Sequence, residues 1–520
     1  MGALLGGYPR GIRGVAGALA LALVLGGCEP SPESRPADGE PGAQGPSGDS
    51  AEVAGGVASE GPGAGVPEDL LVRTDSSPEG LAPPPEASSV SATDRFPRPD
   101  HVRGIYLNAW TAGSSRRRAQ LIELAGRTEV NSFVIDLKDA SGYVSHRTQN
   151  PLADSIGATG EVRIPNIAGV LDDLEAAGIY PIARIVIVKD PLLVEGRPDL
   201  AIQDTAGGVW VDSKELVWLD PWNPAVWEYH VALAREAVEL GFPEIQWDYV
   251  RFPDASESDM DRAVIQSPEG KTRADAIRGF LSYAREELSD LGVQITADVF
   301  GVTTTFRRDV GIGQLWESFI DQVDVALPMV YPSHYWEGSF GIEDPNAYPY
   351  EIVRWALEDA LERSDRVEGA GLTRPWLQDF TLGKPAYGVP EVRAQIQATY
   401  DAGIQEWILW NPGSRYTVGA LAPAGGWEDH SEPLIRVAGE LVLLEEREAA
   451  LARAWDEPAE VVPVSDSVIE GAPAVVGDSI LPLDSIMGPD SLPRPDTLPR
   501  PDAVPGPGVP VGPDKLSGRR

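Results

Sequence analysis

The chain has 520 residues, 42% of them hydrophobic, and Lys+Arg 42 against Asp+Glu 80 give it a net charge of −38. That is more chain than one ordinary domain uses and too apolar for a wholly disordered polymer, and the acidic balance lacks the basic footprint that phosphate backbones require, so no nucleic-acid partner is expected. A single cysteine, Cys28, excludes an intramolecular disulfide framework and a cysteine-based zinc site, and with five histidines at no metal-motif spacing neither a metal nor any other cofactor is expected.

The N-terminus reads as an export signal. Arg10 and Arg13 precede an apolar run over 15–25, eleven residues that are too few to span a bilayer. The run ends in Leu25-Gly26-Gly27-Cys28, the form of a bacterial lipobox. Residues 1–28 are therefore predicted to be a lipoprotein signal peptide, with Cys28 lipidated and the mature protein extracytoplasmic, anchored to the membrane of the cell envelope. The competing reading is an ordinary signal peptide with an incidental cysteine. Residues 29–100 are rich in Pro, Gly, Ser, Ala and Glu and cannot bury enough apolar surface to offset ordering entropy, which predicts a disordered linker. Residues 456–520 repeat the pattern as a tail, with Pro493-Arg494-Pro495-Asp496 followed by Pro499-Arg500-Pro501-Asp502. A spacer is the plain reading of that tail, and no protein partner can be inferred from it.

Between 101 and 455 the texture changes. Apolar runs at 103–110, 132–138, 180–188, 244–251, 293–300, 323–331, 374–380 and 406–411 alternate with amphipathic stretches. Asn223-Pro224 opens a helix that Gly241 stops; 166–177 closes at Gly178 and 390–402 at Gly403, and further helices fit 274–291 and 350–362. Eight strands with helices between them predict an α/β fold of the (β/α)₈ TIM-barrel type. A doubly wound open sheet is the alternative, but no Gly-x-Gly-x-x-Gly turn follows the first strand.

In such a barrel the site lies at the C-terminal ends of the strands. The residues reaching those ends are Tyr106 and Trp110 on the first, Asp136 and Lys138 on the second, and Arg184 on the third. The fourth offers Asp248, Tyr249 and Arg251, the fifth Asp298, the sixth Tyr331 and then His334. Gln378 and Asp379 close the seventh, Trp410 and Asn411 the eighth. Asp248 and Asp298 are the sharpest pair: Gln246 and Thr296 precede them by two, so alternation turns both carboxylates inward at matching depth. Paired carboxylates facing one cavity suit glycoside hydrolysis, and proximity separates their pKa values. Each aspartate pairing with a barrel cation such as Arg184, Lys138 or Arg251 is the bland reading. Trp210, Trp218, Trp222, Tyr335 and Trp336, with Tyr106, Trp110, Tyr331 and Trp410, supply aromatic faces for pyranose rings, some of them expected to be core plugs.

The segments Asp220-Pro221-Trp222-Asn223-Pro224 and Gly241-Phe242-Pro243-Glu244-Ile245-Gln246-Trp247-Asp248-Tyr249-Val250-Arg251-Phe252-Pro253 resemble a bacterial family of glycosyl hydrolases catalogued as a domain of unknown function. The family is regarded as a TIM barrel distantly similar to the α-amylase group, and the likeness runs over about 103–420. The resemblance implies that Asp248 is the nucleophile and that Asp298 stands where that group carries its acid. The acid there is normally a Glu, one methylene longer, so Asp379, Asp136 or a loop Glu such as Glu337 is an alternative proton donor. Arg251 and Tyr249 are expected to orient Asp248 or to brace its loop. The partner expected is a carbohydrate, poly- or oligomeric. Two other readings stand beside it, a non-catalytic carbohydrate-binding envelope lipoprotein and a barrel lyase or aldolase working through Lys138 or Lys189.

Overall fold

The computed structural model describes residues 91–428 and 431–455. The expected signal peptide, Cys28, most of the linker and the tail lie outside them.

Eight strands form the centre: β1 (Arg103–Leu107), β2 (Ser132–Lys138), β3 (Tyr180–Val186), β4 (Glu244–Asp248), β5 (Gln294–Phe300), β6 (Val325–Met329), β7 (Trp376–Gln378) and β8 (Trp407–Trp410). All neighbours run parallel. β8 returns to β1 at Arg103↔Trp407, and β6 meets β7 at Met329↔Trp376, which closes the ring. The chain is thus a closed eight-stranded parallel barrel. Strands buried on both faces, such as β2 and β3, read as unbroken apolar runs for that reason.

Around the ring lie α1 (Ser115–Arg127), α2 (Ile167–Ala177), α3 (Pro224–Leu240), α4 (Arg273–Glu287), α5 (Pro349–Ser364) and α6 (Val389–Asp401). Their ends follow the chemistry of orphan backbone groups. Asn223 accepts the Ala225 amide with Pro224 at the first helical position, and Gly241, at φ 115°, ends α3 where a side chain would be strained. Thr272 and Asp275 form a reciprocal capping box for α4. Between β5 and β6 the crossing is made by short turns, Gly301–Thr304 and Trp316–Phe319.

Folded structure is present upstream of the expected boundary at 101: Ala92–Arg95 is helical, Phe96 is buried, and Arg95 pairs with Asp172 and Glu175 of α2. After β8 a hairpin, Ile435–Val437 with Glu440–Val442, and a helix, Arg447–Trp455, pack on α6 through Arg436–Glu391 and Arg447–Asp401 and on α5 through Arg354–Glu448. The long loops after β3 and β4 are tied by an antiparallel pairing of Gln203–Asp204 with Ala263–Val264. Trp210 and Trp218 plug this loop layer: both are fully buried, their indoles donating to the Asp259 carbonyl and the Asp212 carboxylate. They are core, so the sugar-facing expectation does not extend to them.

The barrel interior carries two polar layers. At the N-terminal end Arg374 donates to Glu244 (2.7 Å) and Glu406 (2.9 Å), and Arg98 reaches Glu406 from below at 2.7 Å. The second layer lies at the opposite end.

Candidate active site

By alternation along β4, Glu244, Gln246 and Asp248 turn into the barrel, while Ile245 and Trp247 turn out to the helices. β5 runs in register beside it, Gln246 against Thr296, so Asp298 reaches the same depth as Asp248. The side chain between them comes from β3. Arg184 donates through Nε to Asp248 Oδ2 at 3.0 Å and through Nη2 to the same oxygen, and through Nη1 to Asp136 Oδ1 at 2.5 Å. The same Nε lies 3.7 Å from Asp298 Oδ2. One guanidinium therefore faces three carboxyl groups from three strands.

Each carboxyl has further donors. Asp248 Oδ1 accepts the amide of Tyr249 at 2.5 Å, and Tyr249 is held at φ 54°, a left-handed conformation costly for an aromatic residue. Asp298 accepts the Trp376 indole N–H at 2.7 Å and the Gln246 amide at 2.8 and 2.9 Å. Asp136 accepts the hydroxyl of Tyr106, whose ring stacks on Trp410 with centroids 4.0 Å apart. Arg184 lies over both of those rings.

Three acids cannot all ionise beside one cation in a dry site without large cost. Burial first, and then the charge of Asp248, push the Asp298 carboxyl well above its ordinary range, against the pull of Arg184. Burial pushes Asp136 up to about 6, with Arg184 again opposing. Gln246 Oε1 has no partner among the described residues; were its amide turned end for end, that oxygen would accept the proton that burial favours on Asp298. Tyr331, at the end of β6, is raised by burial and then by the charges of Asp298 and Asp248, which sets its hydroxyl against the pair.

The other expected residues divide. Tyr106, Asp136, Arg184, Asp248, Asp298, Tyr331 and Trp410 share this cluster. Gln378, His334 and Ser333 form a hydrogen-bonded group beside it. Asp379, pushed up to about 6 by burial, accepts the amide and hydroxyl of Thr417, and Asn411 donates to the Asp379 carbonyl at 2.6 Å. Trp110 sits past the strand in the short helix Ala109–Gly113, its ring covered by Arg163. Arg251 is packed among Trp218, Tyr249 and Phe300 and donates to the Phe252 carbonyl, bracing the loop. Lys189 lies over the Tyr249 ring. Lys138 leaves the interior because the β2–β3 register shifts between Asp136 and Lys138; its ammonium pairs with Asp190 at 2.9 Å and the Val186 carbonyl at 2.8 Å, which leaves the lyase reading through Lys138 without support. Glu337 is exposed on the loop after β6.

Gln246, Trp376 and Ser333 were not among the expected site residues. The inward alternation that placed Asp248 also places Gln246, and the spacing of Arg374 and Gln378 places Trp376 between them on the same face; only Ser333 carried no signal. No group of three or more His, Cys, Asp or Glu among the described residues could hold a metal ion.

A closed parallel barrel with clustered carboxyls at its strand ends defines a class of barrel proteins whose chemistry, where they have one, sits at that mouth. The chain belongs to the family described as "Putative glycosyl hydrolase domain", whose model matches residues 104–416. Among solved structures, a hypothetical protein from Ruminiclostridium thermocellum is similar at 41% identity, over 38% of this chain and 97% of that one, with a TM-score of 0.34. The glycoside hydrolase domain of PgaB (BpsB) from Bordetella bronchiseptica is similar at 13% identity, over 60% of this chain and 95% of that one, TM-score 0.42. Alpha-L-fucosidase isoenzyme 2 from Paenibacillus thiaminolyticus is similar at 15% identity over 62% and 47%, TM-score 0.41. No curated protein matches the chain.

Proposed function

We propose that the protein hydrolyses a glycosidic bond in a poly- or oligosaccharide, with Asp248 as nucleophile and Asp298 as acid. The observation that carries this reading is the sharing of Arg184 by both carboxyls at the mouth of the barrel. A nucleophile must be ionised, and Asp248 has a guanidinium and a backbone amide on its two oxygens. An acid must hold its proton near neutrality, and burial beside a second carboxylate favours that in Asp298. Nε of Arg184 is 3.0 Å from one Oδ2 and 3.7 Å from the other. Those two oxygens are therefore at most about 6.7 Å apart, which favours the short spacing (about 5–5.5 Å) of retaining enzymes over the wider inverting one. Water then releases the glycosyl-enzyme, with Asp298 acting as base.

A second reading, saccharide binding without hydrolysis, draws on the depth of the pair: Asp248 is 4% and Asp298 1% exposed. One experiment separates the two. The full chain is screened on labelled α- and β-glycans, with Asp248→Asn in parallel. Release of reducing ends by the wild type and none by the variant supports hydrolysis; binding by both, with no reducing ends, supports the second reading. We also propose that the barrel works outside the cytoplasm, held to the envelope membrane through lipidated Cys28. Radiolabelled palmitate carried by the wild type and lost in Cys28→Ser is the expected result.

A further inference from the structure

Beside the carboxyl cluster, the turn Pro332–His334 follows β6 and sets His334 between the rings of Tyr331 and Phe380, at 5.4 and 6.1 Å. Counting hydrogens fixes which nitrogen of this imidazole carries its proton. The Gln378 amide has one possible orientation: its Nε2 donates to the Phe380 carbonyl at 3.0 Å, and its Oε1 accepts the Ser333 backbone amide at 3.2 Å. Oε1 has no hydrogen, so the Ser333 hydroxyl, 2.9 Å away, donates to it. That spends the only hydrogen on Ser333 Oγ. His334 Nδ1 lies 3.0 Å from the same oxygen and must therefore donate. In a neutral ring Nε2 then keeps a bare lone pair, and Nε2 is buried with no partner among the described residues.

Burial lowers the ring's affinity for a proton, to a pKa of about 4. The titratable group facing it is Tyr331, whose hydroxyl is itself kept neutral by burial and by Asp298 and Asp248. An unmet acceptor inside a protein is unfavourable, and a group that fills it gains in proportion.

We propose that His334 is a fixed, neutral hydrogen-bond acceptor that selects a saccharide presenting a hydroxyl or amide N–H beside Tyr331, and that it rejects a carboxylate, sulfate or phosphate at that position. This rests on the glycan-acting reading above. A bare lone pair has nothing to donate to an anionic oxygen, so the discrimination follows from the tautomer rather than from net charge. His334 is a binding and specificity residue here, not an acid or base.

The test uses the full chain labelled with ¹⁵N-histidine, which has five histidines, and His334→Gln to assign the signal by its loss. The expected result is protonated Nδ1 and unprotonated Nε2 throughout pH 5 to 8. Saturating cellobiose, maltose or chitobiose is expected to shift the Nε2 resonance as it accepts a bond, and di-galacturonate to leave it unmoved. A proton on Nε2, an imidazolium above pH 5, a shift with the acidic sugar alone, or no shift with any neutral sugar overturns the proposal. The tautomer is read without turnover, so it can fail while hydrolysis stands, and hydrolysis can fail while the tautomer stands.

Discussion

The two ends of the barrel solve the same problem differently. At the N-terminal end two arginines, Arg374 and Arg98, meet two glutamates, Glu244 and Glu406. Burial raises Glu406, but Arg374 and Arg98 outweigh it and hold that carboxyl below its ordinary range. At the C-terminal end one arginine meets three aspartates. The balanced layer sets one guanidinium against each carboxyl in number. The acidic surplus at the mouth, with burial, lifts the Asp298 carboxyl well above its ordinary range, which is the condition the proposed acid role needs. What distinguishes the two layers is thus the count of charges rather than their burial.

The comparison can be broken most sharply at Asp248. Asp248→Asn, read as the initial rate on whichever glycan the screen returns, is expected to lower activity by roughly 10³-fold or more while the melting temperature stays within a few degrees. An equal variant at the other end behaves in the opposite way. Arg374→Met leaves two buried glutamates without their shared cation and is expected to destabilise the fold by about 3–5 kcal/mol in urea unfolding, with activity per folded molecule retained.

Asp298→Asn sharpens the contrast through pH. A carboxyl whose folded pKa lies above the unfolded value contributes stability below the unfolded pKa and loses it as pH rises through the folded one. Wild-type Asp298 therefore costs the fold more at pH 8 than at pH 4, and the neutral amide removes that cost. The variant is expected to gain stability relative to wild type as pH rises, while losing activity by roughly 10²–10⁴-fold. Thermal melts across pH 4 to 8 check it. The smallest effect belongs to the exposed pair Arg262–Asp204, which ties the loops after β3 and β4; Arg262→Ala is expected to cost about 0–1 kcal/mol in the same melts.

Much of this contrast was legible in the sequence. Strands covered on both faces declare themselves as apolar runs, and the x-polar-x-Asp spacing at Gln246–Asp248 and Thr296–Asp298 declared which side chains turn inward. The runs overshot the strands at 249–251 and 330–331 because Val250, Val330 and Tyr331 are buried under the mouth loops, and burial by a loop looks the same in sequence as burial in a sheet. That Arg184 pairs with a barrel aspartate was open to the sequence, but that it faces three of them at once was not. A side chain on β3 meets partners on β2, β4 and β5 only through the stagger of a closed ring, and no local pattern records it. Lys138 was misleading for a related reason, since alternation places it inward and the register shift at the end of β2 turns it out. Trp210 and Trp218 lie in a loop large enough to have its own core, where aromatic content marks packing rather than binding.

The central claim, that the surplus at the mouth leaves Asp298 protonated near neutrality, can be read directly by infrared difference spectroscopy. Wild type minus Asp298→Asn at neutral pH is expected to show the carbonyl stretch of a protonated carboxylic acid, and the same band should survive in Glu351→Gln, which removes a second buried carboxyl raised to about 7 on α5. A difference spectrum showing only carboxylate bands lost at position 298 would contradict the account.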